Sequence, residues 1–319
     1  MIKKMNHTGL MQALLRKHHL LLHLIGDRPL HYVDIPVHGN IGDLLIMHGT
    51  LAFFEKHGLI PRICAPAFAY DSGWIEHGDV IVFHGGGNFG DLYSEYGMQP
   101  LREHVVSNYP SNRIIILPQT IHFSTDSEMQ RSADLFRQHP DVHICVRDHA
   151  SYRIAQAFSD HVYLMPDMAH QLYPINGDKA ERMLGSLLLS RTDLEKSMLH
   201  DPARFGMATV TDWPLLVGTR ERNIDRFRRA MRIMHKLKLG WLGNRMLSGM
   251  WASYADQLAA SAVNLLSAHE LIITDRLHGH ILACLMDKPS IVLDNNYGKN
   301  FSYVSAWTLT SDLVSLQQA

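Results

Sequence analysis

The sequence predicts an α/β protein built as two doubly wound domains that face each other across a cleft. Three observations carry that expectation. Asp79-Val-Ile-Val-Phe83, Arg113-Ile-Ile-Ile-Leu117 and His143-Ile-Cys-Val146 hold apolar runs with no polar alternation, as strands buried on both faces of a parallel sheet do. Such runs alternate along the chain with segments of helical spacing. At 319 residues the chain also exceeds one ordinary domain, so two are expected.

Taken in order, leucines at helical spacing between Thr8 and Ile25, ahead of Gly26 and Pro29, give residues 1–28 an N-terminal helix. The first domain, residues 29–170, opens on strand His31–Ile35 and the two-glycine loop Pro36–Asp43, then helix Leu44–Lys56, closed by Gly58. Strands Arg62–Ala65 and Asp79–Phe83 follow, the second running into His84-Gly-Gly-Gly-Asn-Phe-Gly-Asp91. A helix from Pro100 to Ser107 precedes strand Arg113–Leu117, which stops at Pro118-Gln-Thr120. Helix Glu128–Gln138, strand His143–Val146 stopping at Arg147-Asp148, helix Ala150–Phe158 and strand Val162–Met165 stopping at Pro166-Asp167 complete the domain.

The second domain, residues 171–319, follows a boundary near residues 168–184 and begins with strand Gly185–Arg191. Trp213 to Gly218 reads as a strand and Tyr254 to Ala268 as a helix. Leu271–Thr274 is then a strand that passes through the tight loop Asp275-Arg-Leu-His-Gly279 into a helical segment reaching Met286, and Ser290–Asp294 is a last strand turning into Asn295–Asn300. Residues 220–245 break the pattern, placing Arg220, Arg222, Arg226, Arg228, Arg229, Arg232, Lys236, Lys238 and Arg245 among Met231, Ile233, Met234, Leu237, Leu239, Trp241 and Leu242. A basic amphipathic stretch of this kind can lie peripherally on an anionic bilayer, or be a solvated helix packed on its own domain.

Composition narrows the function. The net charge of −1 excludes a nucleic-acid binder held by bulk positive charge, and the 22 histidines are scattered rather than clustered as a metal-binding tract. Cys64, Cys145 and Cys284 are far apart, with no C-x-x-C pair or zinc spacing, so buried free thiols in a reducing cytoplasm are expected. Arg16, Lys17, His18, His19 and His23 interrupt the N-terminal apolar stretch. No signal peptide or membrane-spanning segment is therefore expected, and the location reads as cytoplasmic, at most peripheral on the inner face of the cytoplasmic membrane.

In an open α/β sheet the carboxyl ends of the strands line one edge, and ligands bind there. The first domain delivers to that edge Asn40 with Asp43, His84 with Asn88 and Asp91, Gln119 with His122, and Arg147 with Asp148. Gly85-Gly-Gly-Asn-Phe-Gly90 satisfies G-x-G-x-x-G after a strand, but the next strand ends Leu117-Pro118-Gln119, without the acidic residue that would hold a dinucleotide ribose. Its glycines fit an anion-binding nest or a strained turn equally well. Arg276, at the start of a helix, pairs an always-charged fork with unpaired backbone N–H groups, a setting for phosphate or carboxylate, unless Asp275 merely caps that helix.

Gly39-Asn-Ile-Gly-Asp43, His84-Gly-Gly-Gly-Asn-Phe-Gly-Asp91, Pro118-Gln-Thr120, Val146-Arg-Asp148 and Thr274-Asp-Arg-Leu-His-Gly-His280 occur in that order across most of residues 30–300, and as a set they resemble the polysaccharide pyruvyl transferase family. The resemblance implies two Rossmann-like domains in a GT-B-like arrangement. It further implies an enzyme that moves the pyruvyl group of phosphoenolpyruvate onto two hydroxyls of a sugar, free or on a lipid-linked oligosaccharide, in exopolysaccharide or cell-surface polysaccharide synthesis. By motif, Arg147, Arg276, Leu277 and His278 would contact phosphoenolpyruvate, with Asp43 in the same pocket. Asn40, Gly86, Gly87, Asn88 and Gln119 are the further candidates for substrate binding. Phosphoenolpyruvate is a substrate, so no cofactor and no metal are called for.

The residues fit this chemistry on their own terms. Two arginines and a helix N-terminus can bind and orient a carboxylate and a phosphate together, and Arg276 can hold the departing phosphate. His278 is the candidate acid, and Asp43 the candidate base for the sugar hydroxyl, with His84 and His122 as alternatives. The competing expectation is a GT-B nucleotide-sugar glycosyltransferase, which shares the two-domain cleft.

Overall fold

A computed structural model of the protein describes residues 4–92, 97–177, 183–192, 209–294 and 298–317, apart from the side chains of Trp241, Leu242 and Lys299. The first part of the chain forms α1 (His7–Lys17), α2 (Leu20–Ile25), β1 (Leu30–Val33), α3 (Ile41–Lys56), β2 (Ile63–Ala65), β3 (Val80–Phe83), β4 (Gly86–Gly90), α4 (Met98–Asn108), β5 (Arg113–His122), α5 (Asp126–Arg137), β6 (Val142–Val146), α6 (His149–Ala155) and β7 (His161–Leu164). The strands make one parallel sheet in the order β2-β1-β3-β5-β6-β7, with β4 also paired to β5. Both faces are covered. Tyr32, Val82, Ile115 and Cys145 pack beneath α3, while Val33, Phe83, Ile116 and Ile144 pack against α4, α5 and α6 on the other side.

The second part forms β8 (Leu184–Leu189), β9 (Thr209–Thr211), α7 (Trp213–Val217), α8 (Glu221–Lys236), α9 (Gly240–Ser267), β10 (His269–Thr274), α10 (Leu277–Leu285), β11 (Ser290–Leu293), α11 (Lys299–Trp307) and β12 (Val314–Gln317). Its five strands are again parallel, in the order β12-β11-β10-β8-β9. Residues of α9, α10 and α11 pack together against one face, on Leu187, Ile272 and Val292; the opposite face carries Leu188, Ile273 and Leu293. The β8–β9 connection (193–208), part of the segment joining the two sheets (178–182) and the turn at 295–297 lie outside the described residues.

Two sheets, both parallel, thus bear out the α/β reading, while several elements differ from expectation for physical reasons. The N-terminal helix is broken at His18, whose buried ring is bound at 2.9 Å to the Pro166 carbonyl and at 2.7 Å to Gln171. As a result α1 packs with the second sheet's core and α2 with the first. The glycine run is a strand rather than a turn or nest, with Gly86 and Gly90 at φ +119° and +123°. A Cβ on Gly90 would fall onto the His122 carbonyl oxygen, so the pairing of β4 with β5 requires glycine there. That pairing also carries β5 through Pro118 to His122, beyond the expected end at Leu117.

Trp213–Val217 is a helix instead of a strand, because Asp212 caps it and Pro214 sits in its first turn. The helix expected from Tyr254 begins at Gly240; Gly243 and the buried Asn244 and Ser248 let it lie close on α8 and β2. At 28 residues, about 42 Å, α9 reaches from the first sheet's core at Trp251 to the second's at Leu266. Cys145 and Cys284 are buried and free, as expected, but Cys64 is only half-buried.

The buried histidines make stability depend on acid. Burial lowers the proton affinity of His18 to a pKa of about 4 and of His84, His170 and His280 to about 3. The unfolded chain takes up those protons below about pH 6.5, the folded chain only near pH 3–4. Stability is therefore complete above about pH 6.5 and falls as the pH drops through that window. At pH 5 each imidazole costs about 2 kcal/mol. Calorimetry at pH 7 and pH 5 is expected to show the melting temperature falling by more than about 10 °C; an unchanged value would mean that the folded chain accepts these protons.

Candidate active site

Three sequence motifs meet at the first turn of α3. Asn40 caps that helix, its Oδ1 accepting from the Gly42 N–H at 3.1 Å and its Nδ2 donating to Asp43 Oδ2 at 2.8 Å. Gly42 faces the ring of His278 in the first turn of α10: a Cβ at residue 42 would come within 2.5 Å of His278 Nδ1. A side chain there would push the imidazole aside, so glycine at this position sets the approach of the two helices. Asp43 faces the glycine strand, its Oδ1 lying 3.4 Å from where a Cβ of Gly86 would be.

This meeting point is where an open sheet is expected to bind ligands. From β1 the chain crosses to β2 through α3 on one face, and from β3 and β4 it crosses to β5 through α4 on the other, so strand order reverses between β1 and β3. A buried brace holds the glycine strand there. Arg102, fully buried, donates to Asp34 Oδ2 (2.8 Å), Asn88 Oδ1 (2.7 Å) and the Asn88 carbonyl (2.9 Å), and lies 5.8 and 5.6 Å from the rings of Phe83 and Phe89. Gln119 donates to the His84 carbonyl and to Asn88 Oδ1, both at 2.8 Å, and accepts from the Asn88 N–H. The amides of Asn88 and Gln119, put forward as substrate ligands, are thus engaged within the protein.

The two candidate arginines each meet a buried aspartate. Arg147 donates through NH1 to Asp167 (2.6 Å) and through Nε to Thr120 (2.9 Å). His278 Nε2 reaches the same Asp167 oxygen at 3.2 Å, so one carboxylate from the first half joins Arg147 to the histidine of the second. Burial by itself raises the Asp167 carboxyl, but His278 and Arg147 overrule it and hold it well below the usual carboxylate range. Arg276 forks onto Asp212, Nε to Oδ1 at 2.5 Å and NH2 to Oδ2 at 2.7 Å. Burial raises the Asp212 carboxyl and the Arg276 fork more than offsets that, leaving it lowered.

Arg276 and Asn40 form the wall of a cleft of about 480 Å³ with Gly39, Trp213, Pro214, Val217, Gly218 and Glu221, a volume suited to a small ligand. Arg147 is not among its walls; it is joined to His278 of α10 through Asp167. Leu277 packs into the apolar contact with Ile41 and Leu45, leaving its backbone in the first turn of α10, which no side chain caps. Asp275 is no cap: its carboxylate accepts from the Arg191 N–H (2.8 Å) and Ser190 hydroxyl (3.3 Å) at the end of β8. Gly86 is buried and Gly87 half-buried. Of the alternative bases, His84 is buried with Nδ1 bound to the Tyr32 hydroxyl (2.6 Å), and His122 is exposed at the far end of β5.

Sequence reasoning overlooked Asp167 and Asp212 as site residues. Asp212 stands directly after β9 and Asp167 three residues beyond the end of β7, at Met165-Pro-Asp167, where a polar residue past a strand's carboxyl end is a signal in itself.

Two parallel sheets covered by helices, with Arg147, Asp167, Asp212, Arg276 and His278 following their strands and Arg276 in the wall of a cleft, place the protein in the α/β class with an arrangement that can bind an anion. Within that class, the chain belongs to the polysaccharide pyruvyl transferase family, whose model matches residues 40–297. It is 38% identical over 281 residues to the protein of Bacillus subtilis named "putative pyruvyl transferase EpsO", covering 86% of this chain and 84% of that protein. It is 30% identical over 245 residues to pyruvyl transferase 1 of Schizosaccharomyces pombe, covering 71% of this chain and 54% of the yeast protein. A crystal structure of a protein from Klebsiella pneumoniae shares the fold, with a TM-score of 0.60 at 23% identity over 96% of this chain and 98% of that one.

Proposed function

We propose that the protein transfers the pyruvyl group of phosphoenolpyruvate onto two hydroxyls of a sugar as a ketal, in the synthesis of an exopolysaccharide or other cell-surface polysaccharide. The halves act as the two lobes of a GT-B-like enzyme, with the donor bound between them. The observation that carries this reading is the closure of Gly42 on His278, which brings the carboxylate of Asp43, the glycine strand and the Arg276 helix to one point. Family membership supports the same assignment.

In this scheme Arg276 and the first-turn N–H groups of α10 hold the donor's phosphate. His278, steadied through Nε2 by Asp167, delivers a proton to C3 of the enol, and C2 takes on oxocarbenium character. A sugar hydroxyl, deprotonated by Asp43, attacks C2. The C2–O bond to phosphate then breaks with its electron pair going to phosphate, and the second hydroxyl adds to C2 as its proton passes to that phosphate, closing the ketal and releasing hydrogen phosphate.

A thermal-shift comparison of phosphoenolpyruvate with nucleotide sugars tests the donor. A ligand that binds only the folded chain adds about 2.7 kcal/mol at a hundredfold excess over Kd, so phosphoenolpyruvate is expected to raise the melting temperature by several degrees and nucleotide sugars to leave it unchanged. The reverse pattern would assign the cleft to a glycosyl donor.

A further inference from the structure

We propose that the corner between α8 and α9 docks the protein on an anionic lipid bilayer. The corner combines two features that no contact among the described residues accounts for. Ile233, Leu237, Leu239, Met246 and Met250 are between 45% and 62% exposed, although α8 already buries an apolar side of its own: Ile224 and Met231, with Phe227 packed beside them, join the core around Trp251. The exposed set is therefore additional to the one that packs the helix. The side chains of Trp241 and Leu242 lie outside the described residues.

The second feature is a stripe of cations. Arg222, Arg226, Arg229, Ile233 and Lys236 succeed one another at intervals of four and three along α8, so they share one side of it, and the four basic members are exposed. The acids of the helix are spent elsewhere, Glu221 and Asp225 both pairing with Arg228, at 3.3 and 2.8 Å. Among the described residues no carboxylate pairs with Arg222, Arg226, Arg229, Lys236, Lys238 or Arg245. Unneutralised cations beside solvent-exposed apolar side chains match an anionic headgroup layer with acyl chains beneath it; a nucleic acid would answer only the charge, and a neutral protein face only the apolar part. No described helix is long and apolar enough to cross a membrane, so the contact is one of surface attachment.

The placement matters for function. Glu221, at the start of α8, is a wall of the cleft that holds Arg276. The stripe therefore runs from the cleft's lip to the apolar corner, about 21 Å from Arg222 to Lys236 along α8. A protein docked by this face presents its cleft close to the bilayer surface, where a lipid-borne acceptor would be met. The docking itself stands whether or not the donor is phosphoenolpyruvate.

The full chain is to be sedimented with vesicles of phosphatidylcholine, with and without phosphatidylglycerol, at low and high salt. Binding is expected only to vesicles containing phosphatidylglycerol, with release at high salt. Arg222→Gln/Arg226→Gln/Arg229→Gln is expected to weaken binding about 100-fold, since each basic residue near an anionic surface contributes about fivefold. Leu237→Ser/Met246→Ser/Met250→Ser is expected to weaken it at least tenfold at unchanged charge, with both variants melting close to the native temperature. Three results would overturn the proposal. One is absence of binding to anionic vesicles at low salt. Another is binding that the serine variant leaves unchanged, which would make the contact one of charge alone. The third is self-association, seen by light scattering and lost in the serine variant, without vesicle binding, which would assign the corner to a second copy of the chain.

Discussion

Arg276→Ala is expected to reduce kcat/KM at least 100-fold and to destabilise the fold as well. The first effect follows from the role proposed for the guanidinium: a charge-assisted donor lost from a transition state is worth about 3–4 kcal/mol. The second follows from its partner. Asp212 is fully buried, and its carboxylate still accepts from Thr192 N and Oγ1 and from the Trp213 N–H, but Arg276 is the cation that the fork supplies. Removing one member of a buried ion pair costs about 3–5 kcal/mol. An inactive single variant is thus ambiguous, which the pair Arg276→Gln/Asp212→Asn resolves by removing both charges while keeping polar groups in place. The double variant is expected to melt closer to the native protein than Arg276→Ala does, yet to stay inactive, with phosphoenolpyruvate no longer protecting it from heat. Recovery of activity in the double variant would show that the anion is bound elsewhere and that Arg276 serves only to neutralise Asp212.

How far the sequence reveals this site depends on the range of the interactions involved. Buried parallel strands such as Ile114–Leu117 are legible because their apolar run reflects burial on two faces, a local consequence of a global fact. Motifs at strand ends are legible too, since they reach the same edge of a sheet whatever their exact geometry. What could not be read is partnership across the two halves. Nothing local to Gly42 announces that His278 will lie against it, and nothing near Asp167 says that its carboxylate will be shared between Arg147 and His278. Asn88 and Gln119 show the converse. Polar residues at a ligand-binding edge look like ligands, but Arg102, more than ten residues further along from Asn88 and inside a helix, turns them into a brace. Length was misjudged for a related reason: α9 holds glycine, asparagine and serine in its first turns, which local propensity disfavours and close packing on α8 rewards.

Asp167→Asn is the variant that asks most directly whether the shared carboxylate is part of the machinery. The wild-type carboxyl is held far below its ordinary range, so its contribution to stability is complete above about pH 4, the unfolded carboxylate value, and is lost only as the pH falls beneath that. Between pH 5 and pH 8 the carboxyl itself stays ionised, so the wild-type contacts of Asp167 are fully present across that range. Asparagine can still accept from Arg147, so the chain is expected to fold, while the uncompensated guanidinium, buried at 2% exposure, costs about 3–5 kcal/mol. Activity is expected to fall at least 100-fold, mostly in kcat, because an amide neither anchors His278 through its negative charge nor steadies the ring as it gives up a proton. A double-mutant cycle separates this from general damage. If Asp167 acts through the histidine, Asp167→Asn adds little to the loss already caused by His278→Asn, since groups that work as a unit are strongly non-additive. If the two losses multiply, Asp167 acts independently of His278 and the 3.2 Å contact between them is structural.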